Sequence, residues 1–451
     1  MKYVSTRGRA PVLEFGDVLL VGLADDGGLY VPERWPALDP AVWAGPRPYV
    51  DVATDVMFPF VEGTLERDEL AAMAAEAYAT FEHPDVCPVR ELGDLQILEL
   101  FWGPTLAFKD VALQMVGRLF DHELTKRRER ATIVVATSGD TGSAAIEACV
   151  GRDTLDVVVL HPAGRVSDVQ RRQMTTVQAP NVHNVAIEGT FDDCQDLVKA
   201  MFADVAFRDR VRLSAMNSIN WARVMAQVVY YVTTVGRLGR CGFSVPSGNF
   251  GNIFAGWVAE QMGLPVGQLV IAANSNDILA RWVADGAMVA EPVVPTLSPA
   301  MDIQVSSNHE RLLFELTGRD GAATADLLTR FRGVGSVEAP RTDRFDAATV
   351  TDAETIDTIR AVHDETGVLI DPHTAVGVAA ARRCRRPTDE PMVCVATAHP
   401  AKFPDAVEQA TGLRPPLPSR LADLLERDER FEVLGADLAD VQRHVEACIS
   451  G

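Results

Sequence analysis

One lysine in this sequence has a setting that suits covalent chemistry. Lys109 ends the run GPTLAFK at 103–109, and it is one of only five lysines in a chain whose other basic residues are nearly all arginine. A deprotonated lysine amine forms an imine with an aldehyde, whereas arginine does not. Apolar neighbours such as Phe108 favour the neutral amine because they withhold solvent from the ammonium. Lys109 is therefore a candidate Schiff-base lysine for pyridoxal phosphate; the alternative is an ordinary surface lysine at the start of a helix.

A first glycine turn lies in the segment IVVATSGDTGSAAIEA at 133–148, which predicts a strand, a turn and a helix. Ser138, Gly139, Thr141 and Gly142 are small, so backbone amides of the turn can approach an anion at the helix N-terminus. Asp140 either caps this helix or hydrogen-bonds a ligand, and the sequence leaves both interpretations open.

A second glycine turn lies in FSVPSGNFGNIFAGW at 243–257. Its amides precede a predicted helix and form a natural cradle for a phosphate dianion. Neither turn has the pattern of a nucleotide P-loop or of a dinucleotide-binding loop. One glycine turn is weak evidence, but two such turns together with an apolar lysine indicate a phosphorylated ligand.

A possible third anion site lies in AMNSINWARVMAQ at 215–227. Ser218 and the neighbouring asparagines supply uncharged donors, and Arg223 adds a guanidinium that suits bidentate phosphate recognition. The alternative interpretation is a capped helix with a surface arginine.

The segment MVCVATAHPAKF at 392–403 predicts a strand followed by Thr397 and His399. A hydroxyl at this strand end, placed near the pyridine nitrogen of a cofactor, would leave that nitrogen largely unprotonated. The cofactor ring would then accept electrons less strongly. His399 is either part of the same site or a structural histidine.

These segments need strands and helices that alternate along the chain. The pattern of residues along the chain predicts strands at 133–137, 156–160, 182–188, 242–246, 269–273 and 392–397. It also predicts helices that include 110–126 and 222–238. Such alternation predicts an α/β fold with wound, mostly parallel sheets, whose ligands collect at the carboxyl ends of the strands. We expect a small N-terminal region at 1–92, a sheet domain with Lys109 at 93–238, and a sheet domain with the second glycine turn and a helical tail at 239–451.

The composition excludes several classes of protein. The formal charge of −21 argues against nucleic acid or an anionic membrane as a partner. The seven cysteines are scattered without a CxxC pair, so we expect buried free thiols, no metal site and a cytoplasmic location. The first residues lack the apolar core of a signal peptide, and no run of about 18 apolar residues predicts a transmembrane helix.

Taken together, the segments resemble the threonine synthase family of pyridoxal-phosphate enzymes, whose fold is that of tryptophan synthase β (fold type II). The run GPTLAFKD resembles a motif of that family, and so do TSGDTG, NSINWAR, VPSGNFGN, PAMDIQVSSN (299–308), IDPHTAVG (370–377) and ATAHPAKF, in the same order. The run DGGLYVPE at 26–33 is similar to the bacterial and fungal branch, which carries an N-terminal extension.

This resemblance implies a role for each matching position. Lys109 is the Schiff-base lysine and the general acid and base. The cofactor is bound by these residues: Gly248, Asn249, Phe250, Gly251, Asn252, Asp140 and Thr397. The substrate is bound by these residues: Thr137, Ser138, Thr141, Ser218 and Arg223.

The implied reaction converts O-phospho-L-homoserine and water to L-threonine and phosphate, in a monomer or weak homo-oligomer. Two alternatives share these motifs. One is a related pyridoxal-phosphate lyase or dehydratase that acts on hydroxyamino acids or their phosphates without adding water back. The other is a ligand-binding protein that has kept the turns and lost the chemistry.

Overall fold

A computed structural model of the chain describes residues 1–137 and 139–449. Its strands are β1 Lys2–Ser5, β2 Leu13–Glu14, β3 Tyr30–Pro32, β4 Val89–Leu92, β5 Leu95–Glu99, β6 Ala131–Ala136, β7 Leu155–Pro162, β8 Val182–Glu188, β9 Leu213–Ser214, β10 Cys241–Pro246, β11 Val266–Ala273, β12 Ala287–Val289, β13 Ser336–Glu338, β14 Phe345–Thr349, β15 Met392–Ala396 and β16 Glu432–Gly435. Its helices are α1 Phe15–Val21, α2 Tyr49–Val61, α3 Arg67–Tyr78, α4 Lys109–Arg127, α5 Asp140–Cys149, α6 Asp168–Thr175, α7 Phe191–Ala203, α8 Val205–Val211, α9 Trp221–Leu238, α10 Gly251–Gln261, α11 Ile278–Asp285, α12 His309–Leu316, α13 Gly321–Val334, α14 Asp352–Thr366, α15 Pro372–Cys384, α16 Pro404–Thr411 and α17 Leu438–Ile449.

The chain forms two compact units. The first unit contains Met1–Val18, Gly22–Phe108 and Ser218–Pro415, and the second contains Leu19–Val21, Lys109–Asn217 and the residues from Pro416 onward. These limits differ from the domains expected from the sequence. Most of the N-terminal region belongs to the first unit instead of standing apart, and the C-terminal tail joins the second unit instead of the sheet domain that precedes it.

The first unit is built on a six-stranded sheet of order β14-β11-β10-β15-β5-β4. Neighbouring strands are parallel except for β4, which pairs antiparallel with β5 at one edge. Every residue of β10 and β15 is buried, as expected for central strands covered on both faces. The fold prediction of wound, mostly parallel sheets is confirmed.

The two central strands of this sheet also fix where the first unit holds its chemistry. Strands β10 and β15 are parallel neighbours, and Ser244 of one is in register with Cys394 of the other. The turn that follows Pro246 and the residue Thr397 therefore emerge at the same edge of the sheet. The carboxyl edge of a parallel sheet is where α/β proteins collect their ligands.

The second unit is built on a parallel sheet of order β16-β8-β7-β6-β9. Strand β7 is buried at all of its residues. The edge strand β16 comes from the C-terminal tail, which the sequence predicts as a linker and a helix only. Its residues are mostly exposed, so they lack the apolar pattern that would have revealed a strand.

Two further observations concern the chain as a whole. The seven cysteines are free, as the sequence predicts, and Cys384 and Cys448 are the two that are only partly buried. Within the described ranges, every helix is too short or too polar to cross a membrane. The cytoplasmic location stays a prediction.

Helices α4 and α5 of the second unit approach each other very closely. A Cβ atom added to Gly117 would lie 2.2 Å from the carbonyl oxygen of Ala148 and 2.9 Å from its carbonyl carbon. Real Cβ atoms do not come so near to backbone atoms. Glycine at 117 is therefore a packing requirement between these two helices.

We expect Gly117→Ala to destabilise the protein. The gain in helix propensity is about 1 kcal/mol, but overpacking against a backbone group costs about 1–3 kcal/mol and occasionally more. The control is Gly333→Ala in α13, because an atom added there meets nothing within 4 Å and should stabilise by up to about 1 kcal/mol. Urea unfolding of both variants measures the difference, and a Gly117→Ala protein as stable as the control would contradict this account.

Candidate active site

Lys109 is the first residue of α4 and lies inside the second unit. Its side chain is largely buried, with 8% of the residue exposed, so the alternative of an ordinary surface lysine is excluded. Its Nζ atom lies 3.2 Å from Oδ2 of Asp140 and donates a hydrogen bond to it. The other oxygen of this carboxylate accepts a hydrogen bond of 2.9 Å from Nε2 of Gln170.

This ion pair changes the electrostatic expectation for Lys109. The sequence shows only apolar neighbours, which favour the neutral amine, whereas a carboxylate at hydrogen-bond distance favours the ammonium. Asp140 is the first residue of α5, and Gly139 occupies the N-cap position before it. The contacts of the Asp140 carboxylate with Lys109 and Gln170 support the interpretation in which Asp140 belongs to the site. Gln170 was missed, because it lies on α6, 30 residues from Asp140.

The glycine turn before α5 uses part of its own hydrogen-bonding capacity. Oγ1 of Thr137 accepts hydrogen bonds of 2.9 Å from the amides of Gly139 and Gly142. The backbone amides of Gly139 and Gly142, which the sequence predicts as donors to an anion, thus already donate to Thr137. Thr137 therefore stabilises the shape of the turn. Thr141 lies half-buried in the first turn of α5, and the predicted substrate residue Ser138 lies outside the described residues.

The second glycine turn belongs to the first unit and follows β10. Phe250 adopts a left-handed conformation with φ of +63°, which is strained for an aromatic residue, and α10 begins at the next residue. A Cβ on Gly248 would lie 2.7 Å from the carbonyl oxygen of Ala300. Only glycine fits at 248, because the backbone of Ala300 and the side chain of Ile303 pack closely against the turn.

Asn252, in the first turn of α10, carries a donor that finds no partner in the described part of the chain. Its Oδ1 atom accepts hydrogen bonds from the hydroxyls of Tyr230, at 2.6 Å, and Tyr231, at 2.8 Å. Its Nδ2 atom is buried and has no acceptor among the described residues. A buried amide donor without an acceptor is costly, and a phosphate oxygen would satisfy it. This turn therefore fits the phosphate group of pyridoxal phosphate.

Arg223 lies in the first turn of α9, also in the first unit. It is buried, with 5% of the residue exposed, so the alternative of a surface arginine is excluded. Its Nε atom has no partner among the described residues, and burial lowers the pKa of the guanidinium to about 10. The group still carries its charge at neutral pH. A buried cation without a carboxylate requires an anion.

Ser218 lies before α9 and is half-buried. Its hydroxyl oxygen is 3.4 Å from that of Ser307. Ser218 and Arg223 thus lie on one segment of the chain, with an uncharged donor at one end and a buried cation at the other.

Thr397 follows the last residue of β15 and is buried. Its carbonyl oxygen accepts a hydrogen bond of 2.8 Å from the amide of Phe108, the residue that directly precedes Lys109 in the chain. His399 caps the following short helix through Nδ1, which accepts from the amide of Ala401 at 3.1 Å. This contact supports the structural interpretation of His399.

A second buried lysine was missed by the sequence analysis. Lys402 is fully buried, and its Nζ atom donates a hydrogen bond of 2.8 Å to the carbonyl oxygen of Thr105. It therefore ties the helix after Thr397 to the loop that leads toward Lys109. Its position within ATAHPAKF could have drawn attention to it, since lysines are rare in this chain.

Three family models match the chain. A model described as threonine synthase N terminus matches residues 2–78, one described as pyridoxal-phosphate dependent enzyme matches residues 98–398, and one described as threonine synthase, C-terminal, matches residues 374–445.

Known proteins resemble the chain over its whole length. It is 55% identical to a threonine synthase from Pseudomonas aeruginosa, covering 99% of this chain and 98% of that one. It is 43% identical to a threonine synthase from Schizosaccharomyces pombe, covering 91% and 89%. Among solved structures, the pyridoxal-phosphate-bound threonine synthase from Brucella melitensis matches with a TM-score of 0.96 at 51% identity, over 99% of both chains. The yeast threonine synthase matches with a TM-score of 0.93 at 36% identity, over 100% of this chain and 99% of that one.

The parallel sheets, the glycine turns and the long match to one family model define a pyridoxal-phosphate-dependent enzyme of fold type II. Its cofactor is pyridoxal 5'-phosphate. Within that class, the chain belongs to the threonine synthase family.

One buried histidine packs against the second glycine turn. His309 lies between the rings of Phe250, at 5.2 Å, and Trp282, at 4.3 Å. Neither of its ring nitrogens has a partner among the described residues, and burial lowers its pKa from 6.5 to about 3. The neutral ring thus helps to hold Phe250 in its strained conformation.

This shift predicts a loss of stability in acid. Below pH 6.5 the unfolded chain binds a proton at His309, whereas the folded chain does not, so stability is complete above that pH and falls as the pH drops toward 3. The loss due to this group between about pH 7 and about pH 5 is about 2 kcal/mol. We expect His309→Phe, which keeps an aromatic ring, to lose less stability over that interval. Urea midpoints measured at both pH values test this, and equal losses in variant and wild type would contradict it.

Proposed function

We propose that this chain converts O-phospho-L-homoserine and water to L-threonine and phosphate. The observation that carries the proposal is that the first unit holds two separate anion-binding segments. One is the turn at 248–252, where Nδ2 of Asn252 has no acceptor among the described residues, and the other contains Ser218 and the buried guanidinium of Arg223, whose Nε has no partner in the same part of the chain. A phosphorylated cofactor needs one of them, and a phosphorylated substrate needs the other.

The binding roles follow from this division. Gly248, Asn249, Phe250, Gly251 and Asn252 bind the cofactor phosphate through backbone amides and the Asn252 donor. The substrate is bound by these residues: Thr137, Ser138, Thr141, Ser218 and Arg223. Thr397 places a hydroxyl at the pyridine nitrogen, and Asp140 contributes to holding the cofactor.

Lys109 would hold the cofactor through a covalent bond from its amine, and the same amine would act as the general acid and base. When bound, pyridoxal phosphate supplies a conjugated ring that holds the electron pair left at the substrate carbon. The amine of Lys109 removes a proton from Cα and then one from Cβ, after which phosphate leaves Cγ. It returns one proton to Cγ, which becomes the methyl carbon, and one to Cα. Water adds its hydroxyl group to Cβ and gives up its other proton, so that the departing phosphate carries the third proton. An amine accepts a proton only when it is neutral, and Oδ2 of Asp140, 3.2 Å away, is positioned to receive the proton that the ammonium loses.

A direct assay tests the reaction. The purified protein is loaded with pyridoxal phosphate and supplied with O-phosphohomoserine, O-phosphothreonine or free threonine. Formation of threonine and phosphate from O-phosphohomoserine supports the proposal. Formation of 2-oxobutyrate alone would establish the related lyase or dehydratase instead, and a colourless protein that does not take up the cofactor would indicate a ligand-binding protein. The monomeric or weakly associated state stays a prediction.

We expect Lys109→Ala to lower turnover by about 10³-fold or more, because both the covalent bond and the proton transfers are lost. The matched control is Lys199→Ala, which removes an exposed lysine that pairs with Asp196 at 2.9 Å. Borohydride reduction and peptide mapping should find the cofactor attached to Lys109 in the wild type. Near-normal activity of Lys109→Ala, or a label on Lys402, would contradict the assignment.

The two anion-binding segments should respond separately to substitution. Arg223→Met removes an unpaired buried charge at similar volume, so the substrate-free protein should stay as stable as the wild type or become more stable. The KM for O-phosphohomoserine should rise about 10- to 100-fold, because a charge-assisted bond to phosphate is lost. The affinity for pyridoxal phosphate should change little.

Asn252→Ala should have the opposite effect. It removes the unpartnered donor of the second glycine turn, so cofactor affinity should fall about tenfold while the KM changes little. Cofactor titration by fluorescence and steady-state kinetics measure both variants. If Arg223→Met mainly loses cofactor, Arg223 belongs to the cofactor site and the division between the two segments is wrong.

A further inference from the structure

The segment SSNHER at 306–311 has no role in the reaction described above. Its first three residues end the run PAMDIQVSSN, and its last three open α12. The whole segment lies in the first unit. Its polar groups contact both of the proposed anion-binding segments.

Toward the cofactor-phosphate turn, the segment makes three hydrogen bonds. The hydroxyl of Ser306 donates to the carbonyl oxygen of Gly248. The hydroxyl of Ser307 donates to Oδ1 of Asn249 at 3.0 Å. The backbone amide of Asn308 donates to the backbone carbonyl oxygen of Asn249 at 3.1 Å. Asn249 is thus held both by its backbone and by its side chain.

Toward the substrate-phosphate segment, the same residues reach Ser218 and Ile219. Nδ2 of Asn308 donates to the carbonyl oxygen of Ser218 at 2.9 Å, and Arg311 donates to that of Ile219 at 2.6 Å. The hydroxyl oxygens of Ser218 and Ser307 lie 3.4 Å apart. The segment 306–311 is therefore a polar link between the two anion-binding segments.

The direction of the hydrogen bonds at Ser307 gives this link a chemical consequence. A serine hydroxyl carries one hydrogen, and that of Ser307 is directed at Oδ1 of Asn249. With Oδ1 engaged, the Asn249 side chain is fixed in the orientation that leaves both hydrogens of Nδ2 for another acceptor.

We propose that Ser307 is a positioning residue that orients the Asn249 side-chain amide toward the cofactor phosphate. This inference rests on the proposed function of the turn at 248–252 and adds a residue that sets the orientation of one of its asparagines. Ser307 does not touch the phosphate itself. It acts through Asn249.

The experiment compares Ser307→Ala with the conservative Ser307→Thr, which keeps the hydroxyl. The dissociation constant of pyridoxal phosphate is measured on the apo form, and the inhibition constant of inorganic phosphate against O-phosphohomoserine is measured on the loaded enzyme. Loss of one neutral hydrogen bond should raise the dissociation constant about three- to tenfold in Ser307→Ala, whereas the inhibition constant should stay within about twofold of the wild type. Ser307→Thr should restore the dissociation constant. Ser336→Ala, at an exposed serine of β13, is the matched control and should leave both constants unchanged.

A double-mutant cycle with Asn249→Ala then tests whether Ser307 acts through Asn249. If it does, the dissociation constant of pyridoxal phosphate in the double variant should equal that of Asn249→Ala alone. Two effects that multiply, or a dissociation constant that does not change in Ser307→Ala, would overturn the inference and leave the proposed function standing. If Asn249→Ala itself leaves the dissociation constant unchanged, Asn249 loses its proposed role as a phosphate ligand and the inference falls with it.

Discussion

The close approach of helices α4 and α5 is the constraint on which the chemistry of the second unit depends. Lys109 and Asp140 open these two helices, and the contact between Gly117 and Ala148 lies eight residues further along each of them. The equal spacing means that the helices run side by side in fixed register. A bulkier residue at 117 would force them apart and separate the amine from the carboxylate, which lie 3.2 Å apart.

The electrostatics of the chain explain why its anion-binding segments are built as they are. A formal charge of −21 opposes the approach of a phosphate dianion from a distance. The first unit provides local groups instead. These are the buried guanidinium of Arg223, whose Nε atom has no partner among the residues that the structure describes, and uncharged donors such as Nδ2 of Asn252. A buried charge has a stronger local field than an exposed one, because water screens it less. Arg311 is also buried, but three carbonyl and amide oxygens engage it, so it serves the structure and not a ligand.

The sequence predicts most of the central strands because they are short apolar runs that end in glycine turns. Strand β8 has the predicted limits, and β10 and β15 differ from theirs by one residue. Prediction from the sequence fails where an element or a contact depends on residues that are distant in the chain. Strand β16 is mostly exposed, and pairing with β8 alone makes it a strand. Gln170 reaches Asp140 from another helix, so no motif around Asp140 announces it. The domain limits expected from the sequence differ from those of the compact units for the same reason, since the observed limits depend on contacts between distant parts of the chain.

The two asparagines of the second glycine turn show why a motif alone does not define a binding site. An asparagine side chain offers an acceptor at one end and a donor at the other, so it serves an anion only when its acceptor is engaged elsewhere. Asn252 meets this condition through Tyr230 and Tyr231 on α9, and Asn249 meets it through Ser307. These partners lie 22, 21 and 58 residues away in the sequence. The turn thus supplies the asparagines, whereas the surrounding fold decides which end of each amide a phosphate would meet.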